Sequence, residues 1–147
     1  MEYGKIVEIL APCGLDCSRC VRFAGGKVAN LSTSLGAALT GFDRMAAMAA
    51  DRVPAFKDYK AFLEVLKVFK QADCKGCRAG GCQAPFCSAG NCFREKGVDF
   101  CFQCDEYPCS RNNYPASLDS RWHSFNDRMK EVGVEKFYEE QKEKPRY

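Results

Sequence analysis

CKGCRAGGCQAPFCSAGNCFREKGVDFCFQCDEYPC, residues 74–109, holds eight of the chain's 11 cysteines. Two C-x2-C pairs, Cys74/Cys77 and Cys101/Cys104, are separated by 23 residues. Cys82, Cys87 and Cys92 follow one another at five-residue steps between them, and Cys109 comes five residues after Cys104. A C-x2-C pair suits a tight turn that presents two sulfurs to one ion, because the intervening backbone N–H groups point back at the thiolates and soften their charge. Eight thiols make two four-coordinate sites. Spacing leaves the pairing open: Cys74/Cys77 with Cys101/Cys104 is one solution, and interleaved sets using Cys82, Cys87, Cys92 and Cys109 are others. Unligated cysteine packs as a small hydrophobe, which accounts for one or two of the single cysteines but not for so dense a run. A redox dithiol at CKGC lacks the βαβ frame of thioredoxin-like proteins. The segment reads as a mostly irregular lobe tied by metal.

The other three cysteines, Cys13, Cys17 and Cys20, stand in APCGLDCSRC, residues 11–20. Gly14 and the polar residues from Asp16 to Arg19 allow a tight loop that gathers them, but no fourth cysteine follows until Cys74. A closed tetrahedral zinc site must borrow its fourth ligand, and Cys109 is the candidate; His123, Asp16 or a water are the other choices. Three thiolates at C-x3-C-x2-C spacing also suit an iron–sulfur cluster with one open corner, the alternative cofactor. Radical enzymes that use S-adenosylmethionine share that spacing, but they need a large α/β barrel, for which this chain has neither length nor strands. Zinc, two to three ions per chain, is the expected metal.

Composition bounds the rest. At 147 residues and 46% hydrophobic content the chain is about one domain long and able to fold. An odd cysteine count argues against a closed disulfide framework. The start MEYGKIVEILAPCG, with Glu2 and Glu8, lacks the basic, long apolar character of a secretory signal, so a cytoplasmic, thiol-reducing setting is expected. No stretch is apolar enough to span a membrane. The formal net charge of +3 counts every thiol as neutral; two zinc ions on eight thiolates would bring it to −1. Lysines and arginines are dispersed among acids without a stripe, which argues against a nucleic-acid partner.

Helical periodicity fills the remainder. Residues 27–52 predict a helix with Leu35, Leu39, Phe42, Met45 and Ala49 on one face and a break near Gly41. Its many small residues would let another element come close. Pro54 opens a second helix whose core face carries Phe56, Tyr59, Leu63 and Leu66, widened by Phe62 and Phe69, and which ends at Asp73. Leu118, Trp122, Phe125, Met129 and Val132 form the core stripe of a third, closed by Gly133, after which a charged helical tail is expected to fray. Phe86, Phe93, Phe100, Phe102 and Tyr107 are expected to keep water off the sulfurs. His123, beside Trp122 and off the stripe, reads as a surface residue rather than a ligand. The expected fold is a small, mainly α, metal-stabilised single domain, residues 1–147. Its parts are an N-terminal cysteine triad (1–24), a helical segment (25–73), the metal lobe (74–109), and a C-terminal helix and tail (110–147).

CGLDCSRCVRF, CKGCR, NCFREKGVDFCFQCDEYPC and the tail GVEKFYEEQKE together resemble an uncharacterised bacterial and archaeal cysteine-rich family, a domain of unknown function regarded as zinc-binding. The resemblance covers the N-terminal triad and everything from Cys74 onward, and implies zinc and a cytoplasmic setting without implying a reaction. The sequence carries no histidine-paired nucleophile, carboxylate pair or phosphate-cradling glycine loop, so no enzyme signature is legible. A structural or interaction module with a protein partner is the expectation, and no small-molecule substrate can be named.

Overall fold

The computed structural model describes residues 1–80, 84 and 86–147. Among these the backbone forms seven α-helices: α1 (Tyr3–Ile9), α2 (Lys27–Ala38), α3 (Asp43–Ala49), α4 (Tyr59–Lys70), α5 (Ala89–Lys96), α6 (Ala116–Val132) and α7 (Val134–Lys142). The described residues contain no strand, only an isolated antiparallel bridge between Leu10 and Asp16. The chain is mainly helical, as its periodicities predict. It divides into two compact units, one made of residues 1–18 and 74–147, the other of residues 19–73.

In the unit of residues 19–73, the helix expected over 27–52 is two helices, α2 and α3. The break falls at Gly41, whose φ of +79° is cheap only for glycine. The packed face of α2 consists of its small residues: Ala29 and Ser32 are buried, and a Cβ on Gly36 would sit 3.1 Å from Lys70 Nζ and 3.5 Å from Leu66 Cδ2 of α4. Because the helices approach through these small side chains, Leu35, about 100° round the helix from Gly36, is turned away. It and Met45 are exposed rather than core. The 3-10 turn Pro54–Asp58 leads into α4, where Tyr59 and Leu66 are buried as expected and the Phe42 ring meets Phe56 and Tyr59 edge-on. Phe62, Val65 and Val68 remain exposed, so the apolar arc of α4 is wider than the face it buries.

In the other unit, Ile6, Leu10, Phe100, Met129, Val134 and Phe137 form the core. The stripe predicted for the third helix is the inner face of α6, with Trp122 and Met129 buried and Leu118, Phe125 and Val132 half-buried. Gly133, at φ +85°, turns the chain into α7. The charged tail forms α7 and packs rather than standing free. Val134 and Phe137 sit one turn apart and are buried against α1 and α6, and Phe137 stacks edge-on with Phe125 at 5.2 Å. The lobe at 74–109 is less irregular than expected, since it contains α5 and 3-10 turns at Cys77–Ala79 and Cys101–Gln103. The start of α5 is held from outside: Ser88 N–H donates to Asn112 Oδ1 (2.8 Å) and Ser88 Oγ to the Arg111 carbonyl (2.7 Å), while Gly97 in the left-handed region closes its end.

Candidate metal centre

Backbone turns, Asn126 of α6 and Arg78 hold the cysteine loops of the unit of residues 1–18 and 74–147 together. The loop after α1 folds back on itself, with Ala11 N–H donating to the Leu15 carbonyl (2.8 Å) and Gly14 N–H to that of Ala11 (2.8 Å). Gly14, at φ +86°, lies against Phe125 and Met129 so closely that a Cβ there would be 3.0 Å from both side chains. Asn126, fully buried, donates through Nδ2 to the carbonyls of Cys13 (3.2 Å) and Trp122 (2.9 Å), and its Oδ1 accepts from Phe102 N–H (3.0 Å). One side chain of α6 thus holds both the N-terminal loop and the turn after Cys101. Arg78 is the third anchor: Nε donates to the Leu10 carbonyl (2.9 Å) and Nη2 to that of Asp99 (2.6 Å), with the guanidinium over the rings of Phe93 and Phe100. Cys101 N–H closes the arrangement on the Pro12 carbonyl (2.9 Å).

The thiols then fall into distinct surroundings. Cys13 is buried beside Ala11 and Trp122, and burial pushes its thiol far up, holding it neutral. Cys17 is lowered chiefly by a hydrogen bond with the Cys77 thiol, with help from the Cys77 backbone and the Arg146 charge. Gly76 N–H points back at Cys74 Sγ (3.4 Å), the geometry expected of a C-x2-C turn. Cys87 Sγ and the Tyr114 hydroxyl are in hydrogen-bond contact at 3.2 Å. Cys92, Cys101, Cys104 and Cys109 line one cavity of about 30 Å³ beneath α5. Arg111 Nη1 donates to Cys92 Sγ (3.5 Å), and the Cys104 thiol donates to Asp105 Oδ1 (3.6 Å). Burial raises the Cys101 thiol to about 11, opposed by the Trp122 indole. The Trp122 indole N–H is itself buried, with no acceptor among the described residues, and the sulfur it approaches is that of Cys101.

Cys20 belongs to the unit of residues 19–73, where its carbonyl accepts from Phe23 N–H (3.0 Å), and Cys82 lies outside the described residues. His123 is half-exposed, its ring against Tyr107 and Trp122 and its Nε2 3.9 Å from Asp119. Of the aromatics expected around the sulfurs, Phe93 and Tyr107 line the cavity, Phe86 meets Tyr114 edge-on, and Phe100 and Phe102 serve the core. Trp122, Tyr114 and Arg111 were not read as site residues. Their contacts join residues far apart in the chain and leave no local spacing, although the stripe did mark Trp122 as inward-facing. Among the described residues no group of three or more histidine, cysteine, aspartate or glutamate side chains stands at ligating separation, so an ion must draw its ligands together. The donor chemistry nonetheless fits zinc: soft sulfurs lining one cavity, cationic neighbours in Lys96 and Arg111, and a buried Trp122 N–H with no acceptor among the described residues.

A family model described as "Protein of unknown function (DUF3795)" matches residues 9–114, from the end of α1 through the whole cysteine lobe to Tyr114. The chain belongs to this family. The DUF3795 match spans both Cys13 and Cys109 and stops before α6 begins, so the helix that anchors the cysteine loops lies beyond the matched residues. No curated protein and no solved structure matches the chain.

Proposed function

We propose that this DUF3795 protein is a zinc-binding, cysteine-rich module of a reducing cytoplasm, in which two to three ions tie the cysteine loops to α6 and hold a surface for a protein partner. The observation that supports this reading is the gathering of thiols without cross-links. Nine of the described cysteines fall in the unit of residues 1–18 and 74–147, and none of the ten described is in a disulfide. Sulfur in that density, on loops anchored by Asn126 and Arg78, is the donor set of structural zinc, for which binding energy is folding energy. The test is metal analysis of full-length protein purified without oxygen. A colourless protein with two to three zinc ions per chain is expected. A metal-free protein, or a brown one absorbing near ~400 nm as sulfur-to-iron charge transfer would give, overturns the reading, the brown sample in favour of the cluster at Cys13, Cys17 and Cys20.

A further inference from the structure

Resting on that zinc reading, we infer that Cys92, Cys101, Cys104 and Cys109 form one closed four-thiolate site, with Arg111 and the Trp122 indole as its supporting donors, and that Cys13 and Cys87 are packing thiols outside it. The four sulfurs come from three pieces of chain: Cys92 from α5, Cys101 and Cys104 from the 3-10 turn and its end, and Cys109 from the segment that follows. They are brought to one cavity of about 30 Å³, room for a single ion or water. Tetrahedral zinc requires four protein ligands to be structural, and this cavity offers four thiols and no carboxylate among the described residues that line it.

Two features of the walls point to an anion-rich occupant. The first is the Trp122 N–H, which is buried, in a residue only 2% exposed, and has no acceptor among the described residues. An indole N–H carries one donor and nothing else, and leaving it unpaired in the interior is costly. A metal-bound Cys101 thiolate supplies the missing acceptor. The second is charge. Four thiolates on Zn²⁺ carry −2, and the cavity is lined by the cations Lys96 and Arg111, the latter already donating to Cys92 Sγ. Both cations are paired with carboxylates that do not line the cavity: Lys96 with Glu106, and Arg111 with Glu106 (3.5 Å) and Glu95 (3.4 Å).

Cys87 and Cys13 are assigned elsewhere by their contacts. Cys87 is engaged by the Tyr114 hydroxyl, Cys13 is enclosed by Ala11 and Trp122, and neither lines the cavity. This assignment places Cys109 with Cys101 and Cys104, so it is not the ligand lent to the N-terminal triad.

The test uses full-length protein with its metal in place. Wild-type protein is labelled with a thiol alkylator, with and without a chelator, and each cysteine is followed by peptide mass spectrometry. Cys92, Cys101, Cys104 and Cys109 should be protected together and released together, in step with one zinc ion. Labelling of any one of the four while zinc stays bound overturns the assignment. As a second arm, Cys109→Ser and Cys92→Ser should each lose one zinc ion per chain, and Cys87→Ala and Cys13→Ala none. Circular dichroism identifies any variant that has not folded, for which the wild-type labelling stands as the measurement. Arg111→Gln should retain the ion but yield it to chelator several-fold faster; an unchanged release rate removes Arg111 from the site. Loss of an ion in Cys87→Ala but not in Cys109→Ser would refute the partition and leave the zinc reading intact. Metal-free wild-type protein would refute both.

Discussion

At the scale of single residues, Asn126 carries the most structure per atom. Its three hydrogen bonds reach Cys13, Trp122 and Phe102. Truncating it strands the buried Cys13 carbonyl and the part-buried Phe102 N–H. Asn126→Ala should therefore cost about 2–3 kcal/mol, the penalty for unsatisfied buried groups, read as a lowered denaturant midpoint with unchanged slope; an unchanged midpoint would show that the two loops hold without it. Gly14→Ala should also destabilise, by about 1–3 kcal/mol, because the new Cβ meets Phe125 and Met129 at 3.0 Å on a backbone at φ +86°. The sequence made the cysteines legible because residue type and C-x2-C spacing state their chemistry locally. Asn126 was not legible: one position beyond Phe125 on the stripe it looks like a solvent-facing polar residue, and its partners lie up to 113 residues away.

At the scale of elements, periodicity located the helices where the apolar face and the packed face coincide. It succeeded for α6 and for the break at Gly41. It failed for α2, because close packing there runs through Ala29, Ser32 and Gly36, residues that carry no apolar periodicity. Gly36 sets up a test. It is an ordinary helical glycine whose nearest obstruction is the mobile end of Lys70. Gly36→Ala should be tolerated and should stabilise the helix by up to about 1 kcal/mol; a loss of stability would mean that Lys70 cannot swing aside. For α7, whose charged sequence suggests fraying, Phe137→Ala should cost about 3–5 kcal/mol, as for other fully buried phenylalanines, and abolish amide protection along the helix. The same helix should respond to acid. Hydrogen bonds from Arg128 and Lys142 hold Glu140 and Glu139 respectively below the ordinary carboxylate range. A carboxylate lowered in the folded state contributes stability above its unfolded pKa and loses it as pH falls through the folded value. Protection of α7, corrected for intrinsic exchange, should be flat at neutral pH and decline below about pH 4. Glu140→Gln should remove most of that step, and an identical step in the variant would assign it to other groups.

At the scale of the whole molecule, the two units predict an uneven response to metal removal. A strong chelator should erase amide protection in the cysteine lobe and the loop around Cys13, while α2 and α4 keep theirs, because those helices rest on apolar and small-residue contacts of their own. Uniform loss, or none, would contradict that division. The loop around Cys13 is joined to the later residues through backbone groups, by the contacts of Pro12 with Cys101, Cys13 with Asn126 and Leu10 with Arg78. The sequence did not foreshadow that α1 packs with α7, two helices more than 120 residues apart. That pairing imposes an order on biosynthesis. Residues 19–73 leave the ribosome as one contiguous block with all their internal partners present, whereas Ile6 and Leu10 must wait for Phe100, Met129 and Phe137, made some ninety or more residues later. The apolar face of α1 therefore stays unsheltered while a unit made after it is already able to fold.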